Sequence, residues 1–417
     1  MKFSVLLPTR NRLELLKTAI YSVQNQDYDN WEIIVSDNFS EQDIGGYVRS
    51  LNDLRIKYFR TPHFISVTDN WNHTIEKCSG DYIIMLGDDD CLLKNYFTNI
   101  CQLIKKHPSP DMIYTSGFTY AYPGALRDIP EGFLHVFGNA SFLQKKDCPF
   151  WLPREEALKL VEDSMNFKVM FAYNMQYALL SRRLMERLMS KGTFFQSPYP
   201  DYYAMTAMML NAERIVACPI PLVAVGISPK SFGALYFNRC EKQGNEFLKN
   251  SIENFKTSPS EECLKHGTHT DMYEKFQKII LPGTTMNTFW LFSMERIKEN
   301  YENEFDLKVN YKRYRFLQMV NVYKSQILQG KPKSSETKKL WKEINWKEKL
   351  LYGMGLHFFF IVLGFVPRKY FSRVIAEMER LLVASHPQFD HQTVNRRFSS
   401  MQQVFDEINP SHYMPNS

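Results

Sequence analysis

The sequence predicts an α/β fold in which an open sheet, with helices on both faces, is followed by a mainly α-helical region. Short apolar runs such as Phe3–Leu7 and Tyr82–Leu86 alternate with segments of helical periodicity in the first half of the chain. Strands that are apolar on both faces and separated by helices are typical of a largely parallel sheet. Beyond Gly233 the apolar pattern is helical and shows no strand-like alternation.

Individual elements follow from local signals. After the first strand we expect a helix to begin at Asn11, because Glu14 gives the spacing of a capping box. Further strands are expected at Trp31–Ser36, Arg55–Phe59, Tyr82–Leu86 and Met112–Tyr114. Further helices are expected at Asp69–Cys78, where Gly80 would end the helix, and at Arg154–Asp163, Arg182–Met189 and Tyr202–Asn211. Ile215–Val225 should form the last short strands, broken by Pro219 and Pro221.

Cysteine content and chain length indicate the cellular compartment and the number of domains. The seven cysteines form no C-x-x-C pair and no zinc-like spacing with histidine, which fits a reducing compartment. The N-terminal apolar run is too short for a secretory signal, so we expect a cytoplasmic protein that starts folding at residue one. A length of 417 residues, at roughly 100–200 residues per domain, predicts two or three domains. The change of pattern predicts an α/β domain over 1–234 and a helical domain over 235–417.

Polar side chains follow three of the expected strands. Residues 8–12 (PTRNR) come after the first, Asp37 after the second and Asp88–Asp90 after the strand at Tyr82–Leu86. In open α/β sheets ligands bind outside the carboxyl ends of the strands. The three clusters should therefore converge on one edge of the sheet.

The acidic run Asp88–Asp90 is the central feature of that edge. Adjacent carboxylates repel one another, so folding them into a strand end is unfavourable unless a cation compensates. Mn²⁺ or Mg²⁺ binds one or two carboxylates together with substrate phosphate oxygens. The alternative is a solvated acidic turn that begins the next helix. Asp37 at a neighbouring strand end favours the metal site.

Three ordered segments resemble family 2 glycosyltransferases. Residues 8–12 are similar to the opening of that family, residues 33–40 (IIVSDNFS) to its second-strand motif, and residues 78–90 (CSGDYIIMLGDDD) to the segment that ends in its D-x-D signature. The resemblance extends to about residue 120, and more loosely to about residue 235. It implies a GT-A-type fold and an inverting transfer of a sugar from a nucleotide diphosphate, with UDP the expected nucleotide and Mn²⁺ or Mg²⁺ the cofactor.

The resemblance also implies roles for single residues. The opening loop and the second-strand aspartate would hold the nucleotide base, where a carboxylate can accept a hydrogen bond from a uracil-like N–H. The alternative for Asp37 is a turn-forming residue before Asn38. The expected donor-binding residues are Pro8, Thr9, Arg10, Arg12, Asp37, Asn70 and Asp88.

Two departures from the family pattern affect these roles. Gly87 stands where the family often has an aspartate, so we expect Asp88 near the ribose or sugar and Asp89 on the metal, with Asp90 as the competing ligand. Trp71-Asn72 replaces an Arg-Asn pair of the family. A charge that would face the donor phosphate is therefore missing, and Asn70 or Lys77 would have to substitute for it.

An inverting transfer needs a base that deprotonates the acceptor hydroxyl as it attacks. In the family this is an acidic residue well downstream of the metal motif. Asp201 fits best, because it follows a turn, opens a helix and has tyrosine neighbours. The alternative is an acid that only suits the helix dipole. Glu155, Glu156 and Asp163 are weaker choices, since each lies within an amphipathic helix.

The C-terminal part carries a separate signal. From Lys331 to Arg380 eleven Lys or Arg stand against five Glu, which accounts for the whole net charge of +6. Within it Leu350–Pro367 is almost uncharged but shorter than the ~20 residues of a spanning helix. We therefore expect residues 350–373 to contact an anionic membrane peripherally, at the inner face of the cell membrane. The alternative is a buried helix. No nucleic-acid-binding motif accompanies the charge, so no nucleic-acid partner is expected.

The leading hypothesis is a metal-assisted, inverting hexosyl- or N-acetylhexosaminyltransferase of polysaccharide or oligosaccharide assembly. Its acceptor would be a glycan or a lipid-linked glycan. A sugar nucleotidyltransferase is one alternative, but it needs a Gly-rich loop after the first strand, and residues 8–12 contain no glycine. A non-catalytic nucleotide-sugar-binding scaffold is the other, favoured if Asp201 lies far from Asp88–Asp90. We expect Gly226–Ser231 to be an ordinary loop; the alternative is that it closes over the diphosphate, with Lys230 supplying positive charge.

Overall fold

The structure, a computed structural model, describes residues 1–127, 130–137, 139–238, 279–329, 334–350 and 397–410, together with Phe358, Ile361, Tyr370 and Val374. Its strands are β1 (Phe3–Thr9), β2 (Trp31–Asp37), β3 (Ile56–Arg60), β4 (Tyr82–Met85), β5 (Cys91–Leu92), β6 (Met112–Ala121), β7 (Phe133–Phe137), β8 (Phe150–Leu152), β9 (Ala178–Ser181) and β10 (Ile215–Ile227). The helices of this part are α1 (Leu13–Gln24), α2 (Ile44–Ser50), α3 (Val67–Ile75), α4 (Tyr96–Lys106), α5 (Arg154–Met165), α6 (Arg182–Met189), α7 (Pro200–Asn211) and α8 (Phe232–Phe237).

The strands form one ten-stranded sheet with the order β3-β2-β1-β4-β9-β6-β10-β5, to which β7 and β8 add by pairing with β6 and β10. β1, β2, β3 and β4 are parallel, as the sequence predicts, and so are β6 and β10. The pairs β4–β9, β6–β9, β6–β7, β10–β5 and β10–β8 are antiparallel. The sheet is therefore mixed, and only its first half is parallel throughout.

The parallel half explains where a ligand can bind. Val5, Ile33 and Ile84 in adjacent strands are fully buried, as expected for strands covered on both faces. The chain runs from β1 outward to β2 and β3, and then returns to the other side of β1 with β4. Such a reversal leaves a crevice at the carboxyl ends of the two strands that flank it. The loops after β1 and β4 therefore border the predicted site.

Two helix-end predictions are wrong. Asn11 does not cap α1: its backbone has a φ of 53°, its side chain accepts a hydrogen bond from Glu41 N at 2.7 Å, and Arg12 precedes the helix instead. Gly80 does not end α3, which stops at Ile75. A Cβ on Gly80 would lie 2.7 Å from Ser4 N, so this position needs glycine for the close approach of β1.

The later strands are longer than the sequence indicates. β10 continues through Pro219 and Pro221 as one strand, with irregular register on either side of Pro221. Proline removes a donor from the ladder, and the register shifts absorb that loss without ending the strand. The region from residue 120 to 153, for which no strand is expected from the sequence, contributes β7 and β8 to the sheet. Long-range pairing with β6 and β10 supplies these strands, and local pattern does not reveal it.

Beyond Gly233 the described elements are helical: α9 (Thr285–Tyr301), α10 (Tyr311–Gln329), α11 (Ser334–Glu343), the short α12 (Trp346–Glu348) and α13 (Met401–Glu407). α9 packs on α7, and its Ser293 Oγ lies 2.8 Å from Ser197 Oγ in the turn before α7. The predicted α/β fold with a helical C-terminal region is confirmed. None of the helices in the described ranges is long and apolar enough to cross a bilayer.

The last described segment returns to the sheet. Phe398, Val404 and Phe405 pack with Cys91 and Phe118 in one buried cluster. Tyr120 also donates a hydrogen bond to the Phe398 carbonyl at 3.0 Å. Residues 397–410 thus share the core of the N-terminal part, whereas the boundary between 234 and 235 stays a prediction. Of the expected membrane segment 350–373, all but Leu350, Phe358, Ile361 and Tyr370 lie outside the described residues.

Candidate functional site at the carboxyl edge of the sheet

The ends of β1, β2 and β4 meet as the sequence predicts. Thr9 pairs with Asp37 in register, and the Asn38 backbone N–H donates to the Thr9 carbonyl at 2.9 Å. Thr9 Oγ1 donates to Asp88 Oδ2 at 2.7 Å, so the hydroxyl after β1 is tied to the acidic run after β4. Hydrogen bonds and strand pairing therefore join the three polar clusters beside the crevice between β1 and β4.

Arg12 is the cationic side chain that contacts the acidic residues of this edge. It donates to Asp88 Oδ1 at 3.0 Å and to the Lys230 carbonyl at 2.5 Å. Lys230 Nζ in turn donates to the Asn11 carbonyl at 3.3 Å. Arg12 therefore joins three segments: its own loop, the acidic turn (Asp88–Asp90) and the loop that follows β10. The expectation that Gly226–Ser231 is an ordinary loop does not include this contact between the loop and the residues after β1.

The remaining acidic side chains are held by the end of β10. Ser228 Oγ donates to Asp89 Oδ2 at 2.7 Å. Asp90 Oδ1 accepts from Gly226 N at 2.7 Å, and Asp90 Oδ2 accepts from Gly87 N at 2.8 Å and from Gln176 Nε2 at 2.5 Å. Both oxygens of Asp90 thus shape the turn.

Glycine is needed on both sides of the acidic turn. A Cβ on Gly87 would come 2.4 Å from Asp90 Oδ2, and a Cβ on Gly226 would come 1.9 Å from the Asp89 carbonyl oxygen. Real Cβ atoms do not approach other atoms so closely. Gly87, which departs from the pattern of similar sequences, is therefore explained by the way Asp90 folds back on the turn.

The acidic turn carries more negative charge than its surroundings neutralise. Burial, and then the charge of Asp88, raises the pKa of the Asp89 carboxyl. Burial and the charge of Asp89 raise the pKa of Asp90 to about 8. Three carboxylates face one guanidinium, so a bound divalent cation would stabilise the ionised turn.

The described residues hold no group of three His, Cys, Asp or Glu side chains arranged around a common point. A cation site of the Mg²⁺ type needs only one or two carboxylates when a diphosphate supplies the other oxygens. Asp89, with a single side-chain donor on one oxygen, fits that requirement better than Asp90. The donor set and the excess negative charge therefore fit a divalent cation that binds together with a phosphate ligand.

Asp37 lies deeper than its predicted role requires. Its side chain is 0% exposed. Oδ1 accepts from Ser40 N at 2.8 Å, and Oδ2 accepts from Tyr58 Oη at 2.7 Å. Arg60 lies above it, 4.0 Å from Oδ2. Asp37 therefore organises the turn after β2, and Tyr58 and Arg60 stand between its carboxylate and solvent.

The other expected donor-binding residues are spread along the same edge. Pro8 is part of β1 and is half-buried. Arg10 is exposed, with its guanidinium carbon 3.8 Å from the centroid of the Phe64 ring. Asn70 is buried in α3 and accepts from Ser36 Oγ at 2.7 Å, so its side chain ties α3 to β2. Arg10 is open to a ligand, whereas the Asn70 amide already has a protein partner.

Asp201 opens α7 in a desolvated setting. It accepts a hydrogen bond from Tyr202 N at 3.0 Å, and burial raises its pKa to about 7. Tyr199 packs edge-on against Tyr202 at 5.0 Å between centroids, and against Phe232 at 5.7 Å. Phe232 directly follows the loop that holds the acidic turn. Aromatic contacts thus link the surroundings of Asp201 to the carboxyl edge.

Sequence reasoning misses the residues that hold the acidic turn from a distance. These are Ser228, Gly226, Gln176 and Tyr122, whose hydroxyl donates to the Asp89 carbonyl at 3.0 Å. One sequence signal was available: Gly226-Ile227-Ser228 follows the predicted strand Ile215–Val225. Residues at the carboxyl ends of strands in such sheets reach the ligand edge, so contact with the acidic turn could have been expected there.

Comparisons with known proteins show what the N-terminal part of the chain is similar to. Residues 4–149 match the family described as "Glycosyl transferase family 2". Over 141 residues the chain is 36% identical to GalNAc(5)-diNAcBac-PP-undecaprenol beta-1,3-glucosyltransferase of Campylobacter jejuni. The matched stretch covers 33% of this chain and 38% of that protein. Over 92 residues it is 29% identical to UDP-Glc:alpha-D-GlcNAc-diphosphoundecaprenol beta-1,3-glucosyltransferase WfgD of Escherichia coli. This match covers 22% of this chain and 36% of that protein. The chain thus spans less than two-fifths of the length of either relative.

Solved structures show weaker similarity over a longer stretch. The crystal structure of S. aureus TarS 1–349 in complex with UDP-GlcNAc is 15% identical, with a TM-score of 0.44 over 79% of this chain and 86% of that chain. The mannosyltransferase PcManGT from Pyrobaculum calidifontis, in complex with GDP-Man and Mn²⁺, is 13% identical, with a TM-score of 0.36 over 73% of this chain and 88% of that chain.

Proposed function

We propose that this chain, whose residues 4–149 match glycosyl transferase family 2, is a glycosyltransferase. It transfers a hexosyl or N-acetylhexosaminyl group from a UDP-sugar to a hydroxyl of a glycan acceptor, with inversion. The observation that carries this proposal is the closed hydrogen-bonded edge formed by Thr9, Arg12, the acidic turn and Ser228. It combines carboxylates and a guanidinium at the crevice where open α/β sheets bind nucleotides.

The donor would lie along this edge, from the end of β2 to the acidic turn. Asp37 shapes the end that receives the base, and Pro8, Thr9 and Arg10 border it. Arg12 supplies positive charge for the diphosphate, since a guanidinium suits phosphate oxygens. Asp88, beside Thr9 and Arg12, would face the ribose or the sugar.

A divalent cation, Mn²⁺ or Mg²⁺, would bind at Asp89, with Asp90 setting the shape of the turn. Its contribution when bound would be to neutralise the charge that develops on the UDP leaving group. The protein's own part is to hold Asp89 toward the edge. Ser228, directly after β10, donates to Asp89, while the Gly226 backbone N–H in β10 holds the neighbouring Asp90.

Asp201 would act as the base. The acceptor oxygen forms a bond to the anomeric carbon from the face opposite UDP, while the bond from that carbon to the phosphate oxygen breaks and its electron pair leaves with UDP. Asp201 takes the hydroxyl proton in this step. Burial that raises the pKa of Asp201 to about 7 makes it a stronger base than an exposed aspartate when ionised at neutral pH.

The acceptor would be a lipid-linked glycan, because the names of two relatives describe diphosphoundecaprenol-linked acceptors. A membrane-bound acceptor would bring the enzyme to the inner face of the cell membrane. Exposed apolar side chains support peripheral contact: Trp346 is 70% exposed and Leu350 58%, beside Lys347 and Lys349. Apolar insertion and basic residues reinforce each other at an anionic surface.

A screen of nucleotide sugars tests the function. Calorimetry of the full-length chain with UDP-, GDP- and TDP-sugars, with and without Mn²⁺, should give binding to a UDP-sugar that strengthens when the metal is present. Slow release of UDP without an acceptor should accompany binding. A protein that binds but never turns over with any glycan acceptor would be a scaffold, and one that binds none of these donors would refute the proposal.

A further inference from the structure

Phe39 has a backbone conformation that aromatic residues rarely adopt. It follows β2 by two residues and has a φ of 54°, in the left-handed region. For an L-residue with a bulky side chain this conformation is unfavourable, whereas glycine adopts it without strain. The Phe39 backbone N–H donates to the Asp37 carbonyl at 2.9 Å, which closes a three-residue γ-turn centred on Asn38. Glycine would therefore serve the turn better than phenylalanine does.

Packing does not compensate for this strain. The Phe39 side chain is 44% exposed, one of the more exposed large apolar side chains in the described residues. A strained residue held without the benefit of burial indicates a role outside folding. The ring projects from the turn that Asp37 organises, at the end of the edge where the nucleotide base is expected.

A guanidinium accompanies the ring. The Arg60 guanidinium carbon lies 5.0 Å from the centroid of Phe39. Arg60 also donates to the Ser40 carbonyl at 2.9 Å, which keeps its side chain against the turn while 44% of that side chain stays exposed. The guanidinium therefore lies over part of one ring face, and its exposed N–H groups supply hydrogen-bond donors on that side of the ring.

The neighbouring loop is fixed alongside. Asn38 donates to the Ile65 carbonyl and accepts from the Ile65 backbone N–H, both at 2.9 Å. Residue 64, just before it, is the phenylalanine on which Arg10 stacks. A second aromatic–guanidinium pair therefore lies next to the first, and the turn after β2 is held between β1 and the loop after β3.

We propose that Phe39 and Arg60 form the platform that binds and selects the base of the nucleotide donor. The base packs on the part of the Phe39 ring that Arg60 leaves open, on the same side of the ring as the guanidinium, so that Arg60 donates to its carbonyl oxygens. A uracil ring carries two carbonyl groups, and both can accept hydrogen bonds from a guanidinium. Cytosine has an amino group, itself a donor, in place of one of these carbonyls and therefore suits a guanidinium less well. Asp37, sealed beneath Tyr58 and Arg60, acts as a positioning residue for the platform. The inference rests on the proposed function.

The sharpest test is Phe39→Gly in the full-length chain. Glycine relieves the left-handed backbone, so the melting temperature should stay the same or rise by about 2–4 °C. Loss of the ring should weaken UDP binding by about 5- to 100-fold, the usual effect of removing an aromatic ring from a stacked base. Phe39→Tyr, which keeps the ring, should bind UDP within about twofold of wild type.

Lys145→Gly is the matched control. Lys145 is exposed and has a φ of 56°, but it lies far along the chain from the carboxyl edge, in the segment before β8. Its replacement should also relieve strain, and UDP affinity should not change. A gain in stability with a loss of affinity at residue 39, against a gain in stability alone at residue 145, separates ligand contact from a structural effect.

Arg60→Met tests base selection. It keeps much of the stem and removes the donors, so the preference for UDP over CDP should fall toward one. If Phe39→Gly binds UDP as tightly as wild type, or if Arg60→Met keeps the full preference, the platform is wrong while the proposed function stands. If wild type binds no nucleoside diphosphate, the proposed function fails, and the platform fails with it.

Discussion

The pH dependence of turnover tests Asp201 as the base. Burial raises the pKa of Asp201 to about 7 from the ordinary 3.8. A base accepts a proton only when ionised, so kcat should follow the ionised fraction. With a pKa of about 7 this fraction rises from about 9% at pH 6 to about 91% at pH 8, and kcat should rise about tenfold. An exposed aspartate would be ionised throughout, and kcat would not change over this range.

The assay measures UDP release at saturating donor, acceptor and Mn²⁺ between pH 6 and 8. Asp201→Asn keeps the shape of the side chain and removes the proton acceptor, so kcat should fall by about 10²–10⁴-fold with donor affinity unchanged. Glu155→Gln, in the first turn of α5, should keep the wild-type rate and profile. A flat wild-type profile, or near-normal turnover of Asp201→Asn, would refute the assignment.

Stability supplies an internal check on the same variant. A carboxyl with a raised pKa in the folded state stabilises the fold while protonated, and that contribution is lost as pH rises through about 7. At pH 8 the ionised side chain therefore opposes folding, and the amide removes this opposition. Asp201→Asn should melt at or above the wild-type temperature at pH 8, so its loss of activity cannot come from unfolding.

Three further predictions concern the turn, the core and the C-terminal part. Gly226→Ala places a Cβ where the Asp89 carbonyl lies at 1.9 Å, so calorimetry should show at least about tenfold weaker donor binding. Glu32→Gln removes a buried carboxylate that Lys2 and Lys57 hold at 2.8 and 2.7 Å, and should lower the free energy of unfolding by about 1–3 kcal/mol at pH 7. Those lysines lower the pKa of Glu32, so the difference should shrink as pH falls below the ordinary 4.5. Full-length protein should co-sediment with anionic but not neutral vesicles, and less so as salt rises; binding to neither would leave residues 350–373 without a membrane role.

The parallel half of the fold could be predicted because its signals are local. Continuous apolar runs mark β1, β2 and β4, and the polar residues that end them follow directly in sequence. The convergence of Thr9, Asp37 and Asp88 then follows from the geometry of parallel strands alone. The helix at Arg182–Met189 was equally clear, because its charged and apolar residues alternate with helical spacing.

The rest depends on contacts between residues far apart in the chain. Ser228 reaches Asp89 across 139 positions, and nothing near either residue indicates the pair. Asn11 has the spacing of a cap, but its side chain instead accepts a hydrogen bond from the Glu41 backbone N–H, 30 positions away. The return of Phe405 to the sheet likewise leaves no pattern in the sequence beyond a short amphipathic helix.

The central claim is that the acidic turn binds a nucleotide sugar through a divalent cation, and Asp89→Ala tests it most directly. Titration of UDP and of the preferred UDP-sugar into wild type and variant, each with Mn²⁺ and with a chelator, separates the metal-dependent part of binding. Glu155→Ala, which changes a carboxylate away from the edge, serves as the control. Wild type and control should bind more tightly with Mn²⁺, whereas Asp89→Ala should lose that gain and keep its melting temperature. Equal, metal-independent affinity in wild type and Asp89→Ala would contradict the claim.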